Sequence, residues 1–100
     1  EALKAAGYFT DESNYIPVLG VDATKVGLQA LEDGTMLATS LNNPVTMGKC
    51  IYKILELLEA GEEITSENLG YDIDEHKRVW LDYVAITKDN LEDADLSKYE

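Results

Sequence analysis

Apolar residues recur along the chain in two kinds of pattern, short apolar runs and longer stretches with helical spacing. Residues 16–21 and 36–41 are short, mainly apolar runs bounded by polar residues, which is typical of buried parallel strands. Residues 24–33 lie between them, with Val26, Ala30 and Leu31 on one helical face and Gly34 as a left-handed stop. The first half of the chain therefore predicts a strand, a helix and a second strand in succession.

The strongest helical pattern follows the second strand. Asn43 suits the cap of a helix and Pro44 suits its first turn. Gly61 is the predicted stop. The apolar side chains of this helix share one face, and they are Met47, Cys50, Ile51, Ile54, Leu57 and Leu58.

The rest of the chain predicts smaller elements. Residues 1–6 read as the end of a helix stopped by Gly7, and residues 8–15 as a polar loop. Residues 62–70 form an acidic loop, and residues 71–74 and 78–87 are strands around a turn, the second rich in aromatic and β-branched side chains. Residues 88–99 are polar and acidic, which predicts a crossing segment followed by a short helix. Together these elements predict an α/β fold.

Charge narrows the classes of partner. The formal net charge is −12, which argues against binding to nucleic acid or to anionic membranes, since both favour basic surfaces. No apolar run approaches the length needed to span a bilayer. The single cysteine excludes a disulfide within the chain.

Two polar residues stand directly after the two predicted strands. Asp22 follows the first strand and Asn42 follows the second. Ligands of open α/β sheets bind at the carboxyl ends of the strands, so both residues are candidate ligand contacts. Asp22 could equally cap the following helix, and the two roles are compatible. For Asn42 capping is the alternative, but Asn43 is better placed to cap the helix that starts at Pro44.

Three separated segments resemble the type I periplasmic sugar-binding proteins, most closely the galactose/glucose-binding group. The matching segments are Pro17-Val18-Leu19-Gly20-Val21-Asp22-Ala23, Leu41-Asn42 and Thr87-Lys88-Asp89-Asn90-Leu91. The resemblance covers nearly the whole chain. It implies that Asp22 and Asn42 hydrogen-bond the hydroxyl groups of a sugar, from opposite sides of a cleft. One departure is Asp82, where relatives commonly have proline.

The resemblance also implies an architecture. The expected fold is periplasmic-binding-protein-like I, with two Rossmann-like lobes, of which this chain is a carboxyl-terminal fragment. Residues 1–41 are expected in the carboxyl-terminal lobe, residues 42–87 in the amino-terminal lobe, and residues 88–100 in a crossing segment that returns to the first of these. The alternative is a complete small protein with a frayed start.

The other residues that could bind a ligand or a metal are expected to have structural roles instead. Cys50 is expected to be a small buried hydrophobe, and Trp80 to pack in a core rather than stack on a sugar. His76 has no second group to share a metal, and the acidic residues from Asp89 to Asp95 lack the spacing of a calcium loop. The family often carries a calcium site, but its motif is not in this stretch. No cofactor and no catalytic constellation are predicted, so the chain is not expected to be an enzyme.

The expected function is capture of a hexose-like monosaccharide for an ABC importer, with its membrane subunits as partners. Such a protein is extracytoplasmic, either periplasmic or held on the outer cell surface as a lipoprotein. The alternative is a sugar-sensing ligand domain of the same fold, in a chemoreceptor or a transcriptional repressor. The fragment alone is expected to form a homo-oligomer, because its predicted strands would have unpaired edges.

Overall fold

The computed structural model describes all 100 residues. The α-helices and β-strands are, in chain order, α1 (Ala2–Ala5), β1 (Leu19–Val21), α2 (Lys25–Glu32), β2 (Ala38–Leu41), α3 (Pro44–Ala60), α4 (Ser66–Leu69) and β3 (Val84–Thr87). Three 3-10 helices span Glu12–Asn14, Lys88–Ala94 and Leu96–Tyr99. The chain is a mixed α/β structure with an elongated outline of 60 × 28 × 20 Å.

The three strands form one sheet in the order β1-β2-β3. β1 and β2 are parallel, with Val21 opposite Ser40, and β3 is antiparallel to β2, with Val84 opposite Leu41. The predicted strand-helix-strand succession is confirmed, although β1 is shorter than predicted. Pro17 has no N–H to give to a ladder, which is consistent with the late start of the strand.

One face of the sheet carries the first group of buried side chains, here called the sheet cluster. Its buried members are Leu31 of α2, Leu41 of β2 and Ile86 of β3. Leu28 from α2 and Leu91, Ala94 and Tyr99 from the carboxyl-terminal 3-10 helices pack against them. α2 and the end of the chain therefore cover the same face of the sheet.

A second buried group, here called the helix cluster, lies along α3. Its buried members are Cys50, Leu57 and Leu69. The side chains packed against them are Ile54, Tyr71, Ile73, Val79 and Leu81. Cys50 is buried as predicted, and burial raises the pKa of its thiol.

The loop predicted for residues 62–70 contains a short helix, α4. The Thr65 hydroxyl caps it by accepting a hydrogen bond from the Asn68 N–H at 3.1 Å, and Gly70 ends it in the left-handed conformation. α4 brings Leu69 into the helix cluster. Four residues with few apolar positions give no periodic pattern, so the sequence prediction missed this helix.

The long strand predicted at residues 78–87 is wrong in its first half. Only Val84–Thr87 is a strand, and before it a single antiparallel bridge joins Ile73 to Val79. The Asp74 carboxylate holds this turn by accepting hydrogen bonds from the backbone N–H of His76 and of Arg78. These local bonds replace the ladder that the β-branched composition predicted.

Trp80 does not pack in a core, so that prediction is also wrong. Its side chain is 63% exposed, and its indole N–H donates to Asp74 Oδ2 at 2.9 Å. The Arg78 guanidinium lies 5.2 Å from the centre of the Trp80 ring, which is a cation–π contact. The side chain is therefore held at the surface by polar contacts.

Two apolar surfaces remain uncovered. The first is the side of the sheet away from the sheet cluster, here called the open sheet face, which carries Leu19, Val21, Ala38, Ser40, Ala85 and Thr87. The second runs along α3 at spacings of four, four and three residues, here called the α3 stripe, and consists of Met47, Ile51, Leu55 and Leu58. The predicted single buried face of α3 is thus only partly correct, because Cys50 and Leu57 are buried while Met47, Ile51 and Leu58 are exposed.

The two clusters draw on different parts of the chain. Apart from residues 23–41, the sheet cluster uses residues 84–99, and the helix cluster uses residues 50–81. The assignment of residues 1–41, 42–87 and 88–100 to two lobes stays a prediction. No helix of the chain combines the length and the apolar character that crossing a bilayer requires.

Candidate functional site

The two predicted site residues lie at one end of the sheet. Because β1 and β2 are parallel and Val21 is opposite Ser40, Asp22 comes opposite Leu41 and Asn42 follows immediately. Both side chains therefore lie just past the carboxyl ends of neighbouring strands. This is the end of the sheet at which open α/β sheets bind ligands. The expected placement of the two residues on opposite sides of a cleft between two lobes stays a prediction.

The backbone at Asp22 has an uncommon conformation. Asp22 and Ala23 both have positive φ angles, of 74° and 44°. Such angles are uncommon for residues other than glycine and persist where neighbouring groups hold them. Here the Asp22 N–H donates to the Ser40 carbonyl at 2.7 Å, and the Ala23 N–H donates to the Thr39 hydroxyl at 3.3 Å. β2 therefore fixes the turn that presents Asp22.

The Asp22 carboxylate is not the cap of α2. That role belongs to Thr24, whose hydroxyl accepts a hydrogen bond from the Gly27 N–H at 3.2 Å. Asp22 is exposed, and its carboxylate accepts no hydrogen bond within the chain. Both of its oxygens are thus available to groups outside the chain.

Asn42 and Asn43 have different environments although they are neighbours. Asn43 is buried, and its Oδ1 accepts hydrogen bonds from the N–H groups of Val45 and Thr46, at 3.0 and 3.3 Å. The prediction that Asn43 caps α3 is confirmed. Its Nδ2 is buried without a hydrogen-bond partner in the chain. Asn42 is exposed and makes no side-chain hydrogen bond within the chain, so its ligand role stays a prediction.

The third segment that resembles the sugar-binding family, residues 87–91, lies far from Asp22 and Asn42. It begins at Thr87, which pairs with Ala38 at the opposite end of β2 from Asn42. Asn90 Oδ1 accepts from the Thr87 N–H at 2.8 Å, and Asn90 Nδ2 donates to the Ala85 carbonyl at 3.0 Å. The Thr87 hydroxyl in turn accepts from the Asp89 N–H at 3.2 Å. This segment therefore caps the 3-10 helix after β3 and takes no part in the candidate site.

Two residues near the candidate site were not identified from the sequence. Thr39 is a buried hydroxyl that supports the Asp22 turn. It could have been found as a polar residue at an inward position of β2, in alternation with Leu41. Tyr83 stands just before β3, and the Leu41–Val84 pairing brings it to the same end of the sheet as Asn42. Its position depends on the antiparallel pairing of β2 with β3, for which chain order gives no signal.

The candidate site lies on an open surface. A groove of about 830 Å³ runs between the amino-terminal segment and the β1–α2 unit, and its walls include Phe9, Val18, Gly20 and Ala30. Neither Asp22 nor Asn42 lines this groove. The two residues therefore do not form an enclosed pocket within these 100 residues.

The other residues that could bind a metal or take part in catalysis lie far apart in the structure. No group of three or more His, Cys, Asp or Glu side chains is arranged to hold a metal ion. His76 lies in the exposed turn near Asp74, while Cys50 is buried in the helix cluster. These residues therefore form no joint site.

The chain is similar to a known binding protein. It is 33% identical over 93 residues to the D-galactose/methyl-galactoside binding periplasmic protein MglB of Haemophilus influenzae. The match covers 93% of this chain and 26% of the relative, so the chain spans about a quarter of the length of the curated relative. No protein-family model matches the chain. The similarity supports a relationship to the periplasmic binding proteins.

Proposed function

We propose that this chain forms part of an extracytoplasmic protein that binds a hexose-like monosaccharide, with Asp22 and Asn42 among the residues that contact the sugar. The observation that carries the proposal is the position of these two exposed side chains at the carboxyl ends of adjacent parallel strands, without hydrogen bonds of their own in the chain. The similarity to a galactose-binding periplasmic protein supports the same ligand class.

The chemistry of the two side chains suits a sugar. An ionised carboxylate accepts hydrogen bonds from two neighbouring hydroxyl groups at once, and such charge-assisted bonds are the stronger kind. The amide of Asn42 offers one acceptor and two donors, which matches a hydroxyl group that both gives and takes a hydrogen bond. Asp22 would therefore fix the orientation of the sugar ring, and Asn42 would support that orientation with further hydrogen bonds.

The proposed function extends to partners that lie outside the chain. We further propose delivery to the membrane subunits of an ABC importer and closure of two lobes over the sugar, as the resemblance to the type I periplasmic sugar-binding proteins implies. A periplasmic position, or a lipoprotein on the outer cell surface, goes with that function. We also propose that the 100-residue chain by itself self-associates, because it leaves two apolar surfaces uncovered.

The test is calorimetry with galactose, glucose and ribose, on the longest natural polypeptide that contains these residues. Asp22→Ala removes the charged acceptor of the sugar hydroxyls, so we expect it to weaken binding of the preferred sugar by roughly 1.5–3 kcal/mol. Asn42→Ala should weaken it by less, because both partners of the lost hydrogen bonds are neutral.

Glu32→Ala is the matched control. It also removes an exposed carboxylate, but at the last residue of α2, away from the carboxyl ends of the strands, and should leave the affinity unchanged. The site assignment is wrong if Asp22→Ala binds as tightly as the unmodified protein. The sugar-binding function is wrong if none of the three sugars gives a binding isotherm.

A further inference from the structure

We infer that Thr39 is a positioning residue of the candidate sugar site, because its hydroxyl holds the turn at Asp22 and Ala23 and so fixes where the Asp22 carboxylate points. Thr39 would not touch the sugar, since its side chain is only 4% exposed. This role depends on the proposed function, in which Asp22 accepts hydrogen bonds from the ligand. Three features of the structure support it: the backbone of the turn, the origin of its hydrogen bonds, and the packing beneath it.

The turn is short and its backbone is strained. Only Asp22, Ala23 and Thr24 lie between the end of β1 and the start of α2. The φ angles of Asp22 and Ala23 are both positive, 74° and 44°, a conformation that brings the Cβ of an L-residue close to a carbonyl oxygen. Aspartate is among the non-glycine residues that adopt it most often, whereas alanine is not. The strain is therefore greatest at Ala23, and contacts with the rest of the fold have to offset it.

The hydrogen bonds that hold the turn come from two neighbouring residues of β2, and they differ in kind. The Asp22 N–H donates to the Ser40 carbonyl at 2.7 Å, an acceptor that any residue at position 40 would supply. The Ala23 N–H donates to the Thr39 hydroxyl at 3.3 Å, an acceptor that only a suitable side chain can supply. Ala23 is half-buried against the sheet cluster, so loss of this acceptor would leave its N–H unpaired at an unfavourable place. The residue at position 39 thus decides whether the strained half of the turn is held.

The Thr39 hydroxyl is itself held in place. Thr39 lies opposite Gly20 on β1 and opposite the fully buried Ile86 on β3. A Cβ at Gly20 would lie 3.0 Å from Met36 Sδ and 3.4 Å from Thr39 Oγ1, so the glycine leaves the space in which these two side chains pack. A β-branched side chain also has few χ1 rotamers. The hydroxyl is therefore a fixed support for the turn.

A fixed turn matters for the ligand. The Asp22 carboxylate is exposed and accepts no hydrogen bond within the chain, so only the backbone of the turn sets its position. A ligand binds more tightly when the group that receives it is already in place, because less conformational freedom is lost on binding. Without the Thr39 hydroxyl the turn would relax, and the carboxylate would move. Sugar affinity should then fall although Asp22 and Asn42 are both unchanged.

The experiment is calorimetry with galactose, glucose and ribose on the longest natural polypeptide that contains these residues. Thr39→Val replaces the hydroxyl with a methyl group and should weaken binding of the preferred sugar by about 10-fold, the effect of one lost hydrogen bond. Thr39→Ser keeps the hydroxyl and should bind within about threefold of the unmodified protein. If Thr39 only filled space in the sheet, the order would be reversed, because valine keeps the volume of threonine and serine lacks a methyl group.

Relief of the strain gives a second readout. Glycine adopts positive φ angles about as readily as negative ones, so Ala23→Gly should make the turn less dependent on the Thr39 hydroxyl. In the Thr39→Val background, Ala23→Gly should therefore raise the affinity again by about threefold. Ala60→Gly is the matched control, because Ala60 is an exposed alanine in the helical conformation at the end of α3. It should recover no affinity.

The turn can also be followed without sugar, by amide hydrogen exchange in protein that carries isotope-labelled alanine. The Ala23 signal is identified by its absence from Ala23→Gly. Thr39→Val should speed the exchange of the Ala23 amide by about 10-fold, because its hydrogen bond is lost, and should leave that of Ala60 unchanged. If Thr39→Val is too unstable to measure, Ala23→Val makes the same test, since a β-branched residue at positive φ displaces the turn. It should weaken sugar binding by about 10-fold or more.

The outcomes separate this role from the proposed function. If no sugar binds to the unmodified protein, the proposed function is wrong and the positioning role is wrong with it. If sugar binds and Asp22→Ala weakens the binding, the function stands. The positioning role alone is then overturned if Thr39→Val binds as tightly as the unmodified protein, if Thr39→Ser binds more weakly than Thr39→Val, or if Ala23→Gly recovers no affinity. Faster exchange at Ala23 with unchanged sugar affinity would make Thr39 a support of the fold only.

Discussion

The sheet cluster and the helix cluster differ in how far apart in the chain their residues lie. The sheet cluster joins residues from 23 to 99, including two strands whose pairing bridges the whole of the helix cluster in sequence. The helix cluster lies entirely within residues 50–81. Contacts between distant residues require closure of a long loop before they stabilise anything, whereas local contacts do not. The candidate site belongs to the non-local cluster, so its geometry depends on the last part of the chain.

Both clusters are small, and this makes each buried side chain important. Only 8 of the 100 residues are buried, and each cluster has three of them. A core of this size supplies little stability beyond the conformational entropy that folding removes. Substitution of a buried side chain should therefore strongly destabilise its own cluster and destabilise the other cluster less.

The largest expected effect is that of Leu31→Ala. Leu31 is one of the two most deeply buried side chains, and its loss should destabilise the sheet cluster by about 2–5 kcal/mol. Hydrogen exchange measured by mass spectrometry should show lost protection in β2 and β3, with protection in the second half of α3 largely kept. Leu57→Ala is the converse variant. It should reduce protection from hydrogen exchange in α3 and change the protection of β2 less. Equal loss in both regions for both variants would show that the two clusters fold as one unit.

A smaller effect is expected for Asn43→Ala, at the junction of the two clusters. The Asn43 side chain caps α3 directly after β2, and removal of such a cap costs about 1 kcal/mol. Because the junction serves both clusters, the urea midpoints followed by circular dichroism and by the fluorescence of the single tryptophan should fall together. Asn43→Ser keeps an oxygen at the cap and should recover most of the stability. A shift seen by only one of the two probes would contradict this prediction.

The smallest effect concerns the exposed turn beside the helix cluster. The backbone N–H of Arg78 and the indole N–H of Trp80, with further bonds from Arg78 and His76, hold the pKa of Asp74 below the usual aspartate range. A lowered pKa means that the ionised form is favoured in the folded turn. The turn is therefore stabilised at neutral pH, and that stabilisation is lost as the pH falls through the lowered pKa. Trp80 emission should change in that acidic range.

Two variants make this pH measurement specific. Asp74→Asn has no carboxylate to protonate, so the acidic change in Trp80 emission should be absent and the emission at neutral pH altered. Asp82→Asn removes an exposed carboxylate two residues after Trp80 and should leave the acidic change as it is. A change that persists in Asp74→Asn would assign it to another group.

The sequence by itself determined the elements that depend on local chemistry. The cap at Asn43, the proline at the first turn of α3, the stop at Gly61 and the strand-helix-strand succession were all predictable, because each depends on backbone preferences of neighbouring residues. The positions of Asp22 and Asn42 directly after strands were predictable for the same reason. Chain order alone placed them at strand ends, and the parallel pairing of β1 with β2 then brought those ends together.

Only the tertiary structure decided which apolar residues are covered and what the polar residues near the site do. Helical periodicity gives α3 one apolar face, but no sheet covers Ile51 and Leu58 on their side of the helix. Cys50 and Leu57 of the same helix are buried together with Leu69 of α4. Trp80 is a large aromatic residue of the kind that often packs in a core, yet Asp74 and Arg78 hold it at the surface. Thr39 supports the Asp22 turn only because β2 lies beside it. In each case the outcome depends on a partner distant in sequence or on one that is missing, and local preferences contain no information about either.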